Sequence, residues 1–370
     1  MRDTLEAFQN AIDNFLGPIR TYLDDEEVSE ILINGHAEIF IEKDGKLHRV
    51  PEVFDDEDAL RAAINNIAQS VGRRITEKQP RLDARLPDGS RIHAVIPPVV
   101  KGTSVSIRKF KKTNINFKKY IEWGAINVEA AQFLDACMYL GKNILVSGGT
   151  GSGKTTLLGL LCSRIPPQQR VIAIEDSAEL NIDYEHVLYM ETQMADVQGE
   201  GEVTMQDLLK SSLRMRPDRI IVGEVRSAEA MELINAMNTG HKGCLGTIHA
   251  NSPNDAAVRL EILAMSGDTK ISQRAVQYQI ASAVDLVVQV SRLSDGSRRV
   301  THISELLGID SEGNYNLVPI YELGHLERGA DGKFLGELKT CGNSPSFMQE
   351  IKSNKIPIPE ERFLSATKSA

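Results

Sequence analysis

"NILVSGGTGSGKTTLLGLL" (143–161) passes from apolar strand formers through a glycine-rich turn to a Lys-Thr pair and an apolar helical stretch. Gly148 and Gly153, with four residues between them, lead into Lys154 and Thr155, which completes a phosphate-loop pattern in its expected strand-turn-helix setting. Along Gly148, Gly149, Thr150, Gly151, Ser152 and Gly153, the glycines let successive N–H groups converge on an anion without Cβ clashes. The helix that follows aims its positive end at the same point. Lys154 is then expected to reach the β and γ phosphates, and Thr155 to offer its hydroxyl to Mg2+. Thr156 and the loop amides would meet the α and β phosphates. The stretch predicts a seat for a nucleoside triphosphate with its Mg2+.

Outward from the loop, short continuous apolar runs alternate with helical patterns: NILVS, VIAIE, RIIVG, GCLGTI and DLVVQV. Strands of this kind are covered on both faces, as in a parallel sheet of βαβ units, so this part reads as a doubly wound α/β domain. Ligands in such sheets bind beyond the carboxyl ends of the strands. VIAIE ends at Glu175 and Asp176, and RIIVG runs into Glu224. Gly223 stands where a metal-holding Asp is common, which leaves Glu224 to polarise water as a base while Thr155 and Glu175 hold Mg2+. Asp218, before that strand, reads as a cap. His249 follows GCLGTI on the same rim, where it would sense a γ phosphate, and His241 lies in the glycine-rich turn before that strand.

Residues 1–110 read as a smaller α/β domain, with hairpin signals around Asp44-Gly45 and Asp88-Gly89, helical spacing over 56–72 and a strand over 103–110. The stretch "SIRKFKKTNINFKKY" (106–120) is locally basic, and 111–125 reads as a solvated linker. The phosphate-loop domain is expected over 126–340, with an antiparallel addition after about residue 285. Residues 341–370 read as a peripheral helix and tail. The four cysteines, Cys137, Cys162, Cys244 and Cys341, form no CxxC pair and suggest buried thiols rather than a zinc site or disulfides. No apolar run approaches the ~20 residues needed to span a bilayer, which points to a cytoplasmic chain. A net charge of −9 opposes a broad footprint for nucleic acid.

Together, "GGTGSGKTT", "IEDSAEL", "RMRPDRIIVGEVRSAEAMELINAMNTGH" and "GTIHANSPNDAAVRLE" resemble the secretion superfamily of hexameric ATPases, which serves type II and type IV secretion, conjugation and pilus assembly. "VSEILINGHAEIFIEKDGKL", "DARLPDGSRIHAVIPP" and "TSVSIRKF" extend the resemblance to the first domain and are most similar to the Tad/Flp pilus assembly and conjugative-transfer branch. The resemblance covers about residues 20–325. It implies a PAS-like N-terminal α/β domain, a RecA-like phosphate-loop domain and a homohexameric ring. It also implies partners in an inner-membrane platform, with the chain peripheral at the inner face of that membrane. Carried over by position, Lys154 and Thr155 bind phosphate and Mg2+, Glu175 belongs to the acidic box, Glu224 is the catalytic glutamate and His249 the histidine-box residue. Arginines from the first domain are implied near the γ phosphate; Arg91 and Arg108 fit best, ahead of Arg81 and Arg85. Ser227 departs from the family pattern, which has Gly after "GEVR".

The expectation is a Mg2+-dependent ATP hydrolase whose ring powers a type IV secretion, conjugation or Tad-type pilus machine. A nucleic-acid-translocating motor on the same core is the alternative, and the acidic charge opposes it. A scaffold that uses ATP only to assemble is a third reading, distinguished by ring formation without turnover.

Overall fold

The computed structural model describes residues 15–43, 45–86, 88–109, 115–195, 199–267, 271–330 and 332–364. They divide into two units, one from residues up to 113 together with the excursion 194–202, the other from 114–193 and 203–370.

Among the described residues the first unit carries a six-stranded sheet in which every neighbouring pair is antiparallel. Its strands are Val28–Asn34 (β1), Ile39–Lys43 (β2), Lys46–Val50 (β3), Arg81–Arg85 (β4), Arg91–Val95 (β5) and Ser104–Arg108 (β6), in the order β3-β2-β1-β6-β5-β4. Lys43 faces Lys46 across a two-residue connection, and Gly45 takes the positive φ that such a tight turn demands. Its partner in that signal, Asp44, lies outside the described residues. The long helix Glu57–Ser70 (α1) packs against the sheet. Asp56 caps it by accepting the Ala59 amide at 2.8 Å, and Leu60, Ala63, Ile64, Ile67 and Ala68 form the helical stripe it buries among Ile31, Ile33, Ile92 and Ile107.

The second unit opens with Phe117–Glu122 (α2) and Val128–Leu140 (α3) and then alternates strand and helix. In chain order these are Ile144–Gly148 (β7), Lys154–Cys162 (α4), Val171–Glu175 (β8), Val187–Glu191 (β9), Met205–Ser212 (α5), Arg219–Val225 (β10), Glu229–Asn238 (α6), Leu245–His249 (β11), Pro253–Met265 (α7), Gln273–Ala283 (α8) and Leu286–Arg292 (β12). Arg298–Ile309 (β13), Tyr315–Leu323 (β14) and Leu338–Thr340 (β15) follow, then the short helices Met348–Ser353 (α9) and Glu361–Leu364 (α10). The sheet order is β15-β14-β13-β12-β7-β11-β10-β8-β9. Strands β12 through β9 are mutually parallel, and the antiparallel extension begins at β13.

The five apolar runs of the sequence become β7, β8, β10, β11 and β12. Their side chains divide between two core clusters, one with α3 and α4 and the other with α5 to α8, so both faces of the parallel sheet are covered. β9 escaped the sequence reading because its positions are half-buried or exposed at the sheet edge and form no continuous apolar run.

Two stretches differ from the sequence expectation. Within 111–125, residues 117–122 form α2, capped by Asn116 and anchored by buried Tyr120, while 110–114 lie outside the described residues. The final segment is anchored rather than peripheral: Phe347, Met348, Ile351, Ile358 and Phe363 are buried in the main core of this unit. Phe133 of α3 is the hub, 5.5 Å from Phe363, 5.6 Å from Tyr321 and 6.0 Å from Phe347. No described helix is long and apolar enough to cross a membrane.

Candidate active site

Every residue of β7 is buried, and the strand delivers the chain to the loop at Gly148. Three of the loop glycines have a physical requirement. A Cβ on Gly148 would lie 2.3 Å from the Val290 carbonyl oxygen and 2.5 Å from Ser152 Oγ, while Gly151 and Gly153 take φ values of +69° and +94°. Gly149 has open space on its Cβ side. Ser152 is buried and donates to the Gly149 carbonyl at 2.9 Å, which ties the loop to itself. Thr155 and Thr156 follow at the start of α4, both half-buried.

Lys154, the first residue of α4, is buried, and its Nζ donates to the carbonyls of Gly148 at 3.0 Å and Gly149 at 3.1 Å. Burial lowers its pKa, against the opposing pull of the Glu224 carboxylate.

The strand register gathers the other candidates on the same edge. His249 pairs with Gly148 across β11 and β7, and Val225 with Ile248 across β10 and β11. Val222 pairs with Ile174 across β10 and β8, so Glu175 and Glu224 both stand at the carboxyl ends of neighbouring strands. Thr247 Oγ1 donates to the Gly223 carbonyl at 2.6 Å and pins β11 to β10 below them. Glu175 is buried, and its Oε1 accepts the amides of Glu179 and Leu180, each at 2.9 Å, which compensates the charge. Gly223 is required beside it: a Cβ there would come within 2.8 Å of Glu175 Cγ. An Asp at 223 would therefore displace the buried glutamate.

Glu224 is half-buried. Burial opposes its charged form, but the hydrogen bond and charge of Arg226, with Lys154 and His249 adding to them, hold its carboxyl below the ordinary value. Arg226 Nη2 donates to Glu224 Oε2 at 2.8 Å and Nη1 to Asp176 Oδ2 at 3.1 Å, so one guanidinium joins the acids of two strands. Arg226 was not singled out in the sequence, because the bridge to Asp176 depends on the pairing of β8 with β10.

One smaller expectation is corrected. Asp218 is not a helix cap; its carboxylate accepts the Arg170 amide at 2.7 Å and stitches the start of β8 to that of β10. His241 lies in the turn before β11, as the sequence placed it, about 13 Å of strand away from His249.

In the first unit Arg85 pairs with Arg91 and Arg91 with Arg108, which sets three arginines in a row across β4, β5 and β6. Arg108 also meets Glu30 at 3.7 Å. Arg81, at the other end of β4, pairs with Val95 and is not in the row.

A divalent cation at a phosphate loop takes one or two protein oxygens and leaves its remaining positions to phosphate and water. The Thr155 hydroxyl and the Glu175 carboxylate are hard oxygen donors that suit Mg2+. Among the described residues no group of three or more His, Cys, Asp or Glu side chains forms a closed metal cage.

The family model for type II/IV secretion system proteins matches residues 13–317. A putative conjugal transfer protein of Mycobacterium tuberculosis is 35% identical over 320 residues, covering 85% of this chain and 89% of the relative. Conjugal transfer protein TrbB of Rhizobium radiobacter is 35% identical over 291 residues, 77% of this chain and 86% of its own. Among solved structures, the Legionella pneumophila ATPase DotB aligns with a TM-score of 0.58 at 19% identity over 81% of each chain, a likeness of fold alone. With the loop, its acids and its histidine on one sheet edge, and relatives aligned over most of their length, the chain is a member of the type II/IV secretion system protein family, a traffic ATPase.

Proposed function

We propose that the chain is a Mg2+-dependent ATP hydrolase working as a homohexameric motor for a type IV secretion, conjugation or Tad-type pilus machine. Its partners would hold it on the platform at the cytoplasmic face of the inner membrane. The domains in this reading are a PAS-like module over 1–110, a linker over 111–125, the RecA-like ATPase domain over 126–340 and a C-terminal segment over 341–370. The conjugal transfer names of two relatives support the choice of machine.

One observation carries the catalytic part: Lys154, Glu175, Glu224 and His249 end or follow adjacent parallel strands on a single edge, and Lys154 and Glu224 each bear on the other's protonation. The amides of Gly148, Gly149, Thr150, Gly151, Ser152 and Gly153 cradle the polyphosphate, with Thr156 beside them, and Lys154 neutralises charge on the β and γ phosphates. Thr155 and Glu175 would hold Mg2+, which when bound offsets phosphate charge during transfer. Glu224, kept ionised at neutral pH by Arg226, orients the attacking water and takes its proton as the new P–O bond forms and the β–γ bridge breaks. His249 reads the γ phosphate. Arg91 and Arg108, in register on neighbouring strands, are assigned to charge developing on that phosphate, an assignment that rests on the family resemblance.

Lys154→Ala tests the seat. Titration of the full chain with a fluorescent ATP analogue and Mg2+ should show binding weakened at least about tenfold, together with lost turnover. Equal affinity and rate in the variant would sink the assignment.

A further inference from the structure

The β12–β13 hairpin ends on Arg292 directly opposite Arg298. Two cations facing one another across a strand pair are unfavourable, and among the described residues neither has a carboxylate ion-pair partner. The acid of the hairpin's turn is engaged elsewhere: Asp295 accepts from Ser297 at 2.9 Å and from the Phe334 amide at 2.7 Å. This pair stands against the phosphate loop. Val290 is in register with Gly148, which brings the end of β12 level with the loop. Arg298 Nε donates to the Gly151 carbonyl at 2.9 Å, its Cδ lies 3.3 Å from where a Gly153 Cβ would be, and Arg292 Nη1 lies 3.9 Å from the same position on Gly151. A chain of net charge −9 thus sets three cations, Lys154, Arg292 and Arg298, around one loop.

We propose that Arg292 and Arg298 form a second phosphate-binding element of this site, acting on the α and β phosphates that ATP and ADP share. The assignment rests on the loop holding a nucleotide. Arg298 is the positioning member: by holding the Gly151 carbonyl outward it fixes a peptide whose neighbouring amides must point inward. Arg292, whose guanidinium has no described hydrogen bond, donates to phosphate as a planar fork.

The test uses the full chain and calorimetric titration with Mg2+-ADP and with a nonhydrolysable Mg2+-ATP analogue, for the wild type, Lys154→Ala, Arg292→Gln, Arg298→Gln and Arg298→Lys. Arg292→Gln and Arg298→Gln should each weaken both nucleotides about tenfold and to the same extent, with KM rising more than kcat falls and a shallower dependence of affinity on salt. Arg298→Lys should recover part of the loss. Urea midpoints equal to wild type keep folding out of the comparison, and a variant whose midpoint falls is replaced by the lysine substitution at the same position. Unchanged affinity for both nucleotides in Arg292→Gln and Arg298→Gln, or a loss confined to the ATP analogue, overturns the clamp. If those variants match wild type while Lys154→Ala fails to bind, only the clamp is wrong. If Lys154→Ala also binds normally, the seat itself is wrong.

Discussion

Gly223 shows what a single position contributes and how far the sequence revealed it. The sequence identified 223 as a place where an acid is common and read the glycine as freeing Glu224 for chemistry. The structure adds a steric reason: the missing Cβ leaves room for Glu175, whose Cγ would be 2.8 Å away and whose Oε1 is fixed by two amides. Gly223→Ala should therefore destabilise the chain by about 1–3 kcal/mol, the usual cost of overpacking, read as a lower urea midpoint at unchanged slope. An unaltered midpoint would mean that Glu175 relocates without penalty. The phosphate loop was readable because its glycines, lysine and threonine are contiguous and each answers a local requirement. Arg226, Arg292 and Arg298 were not, because their significance comes from residues 50 to 147 positions away.

Hairpins and parallel strands were largely open to sequence reading, since alternation and continuous apolar runs report directly on one-sided and two-sided burial. What escaped notice was edge strand β9, whose burial is uneven, and the anchoring of the last helices, which are too short for a periodic pattern yet hold Ile351 and Phe363 in the core. The β12–β13 hairpin touches the loop through Arg298, and Asp295 accepts the bonds that hold its turn. The Phe334 amide bond, followed by the bonds from Ser297, holds the Asp295 carboxyl at about 2, below its ordinary 3.8. A depressed carboxyl stabilises the fold above its unfolded value, and this contribution is lost as pH falls through the folded one. Between pH 3.8 and about 2, wild type should lose urea stability more steeply than Asp295→Asn. Parallel curves for the two proteins would show that the turn bonds contribute nothing to folding.

As a whole the chain joins an antiparallel N-terminal unit to a RecA-like unit, and the proposed motor requires that both act within a ring. Its core proposition is that Glu224 activates water at a nucleotide seat whose hydrolysis is coupled between subunits. The most direct measurement is steady-state ATP turnover across mixtures of wild-type and Glu224→Gln chains at constant total concentration. Glutamine keeps the shape of the side chain and removes its proton-accepting charge, so the variant alone should bind ATP and turn over at least about a hundredfold more slowly. In mixtures the rate should fall below the straight line between the two pure proteins. Turnover by the pure variant at the wild-type rate would contradict the assignment of Glu224, and a strictly linear mixture would contradict coupling within a ring.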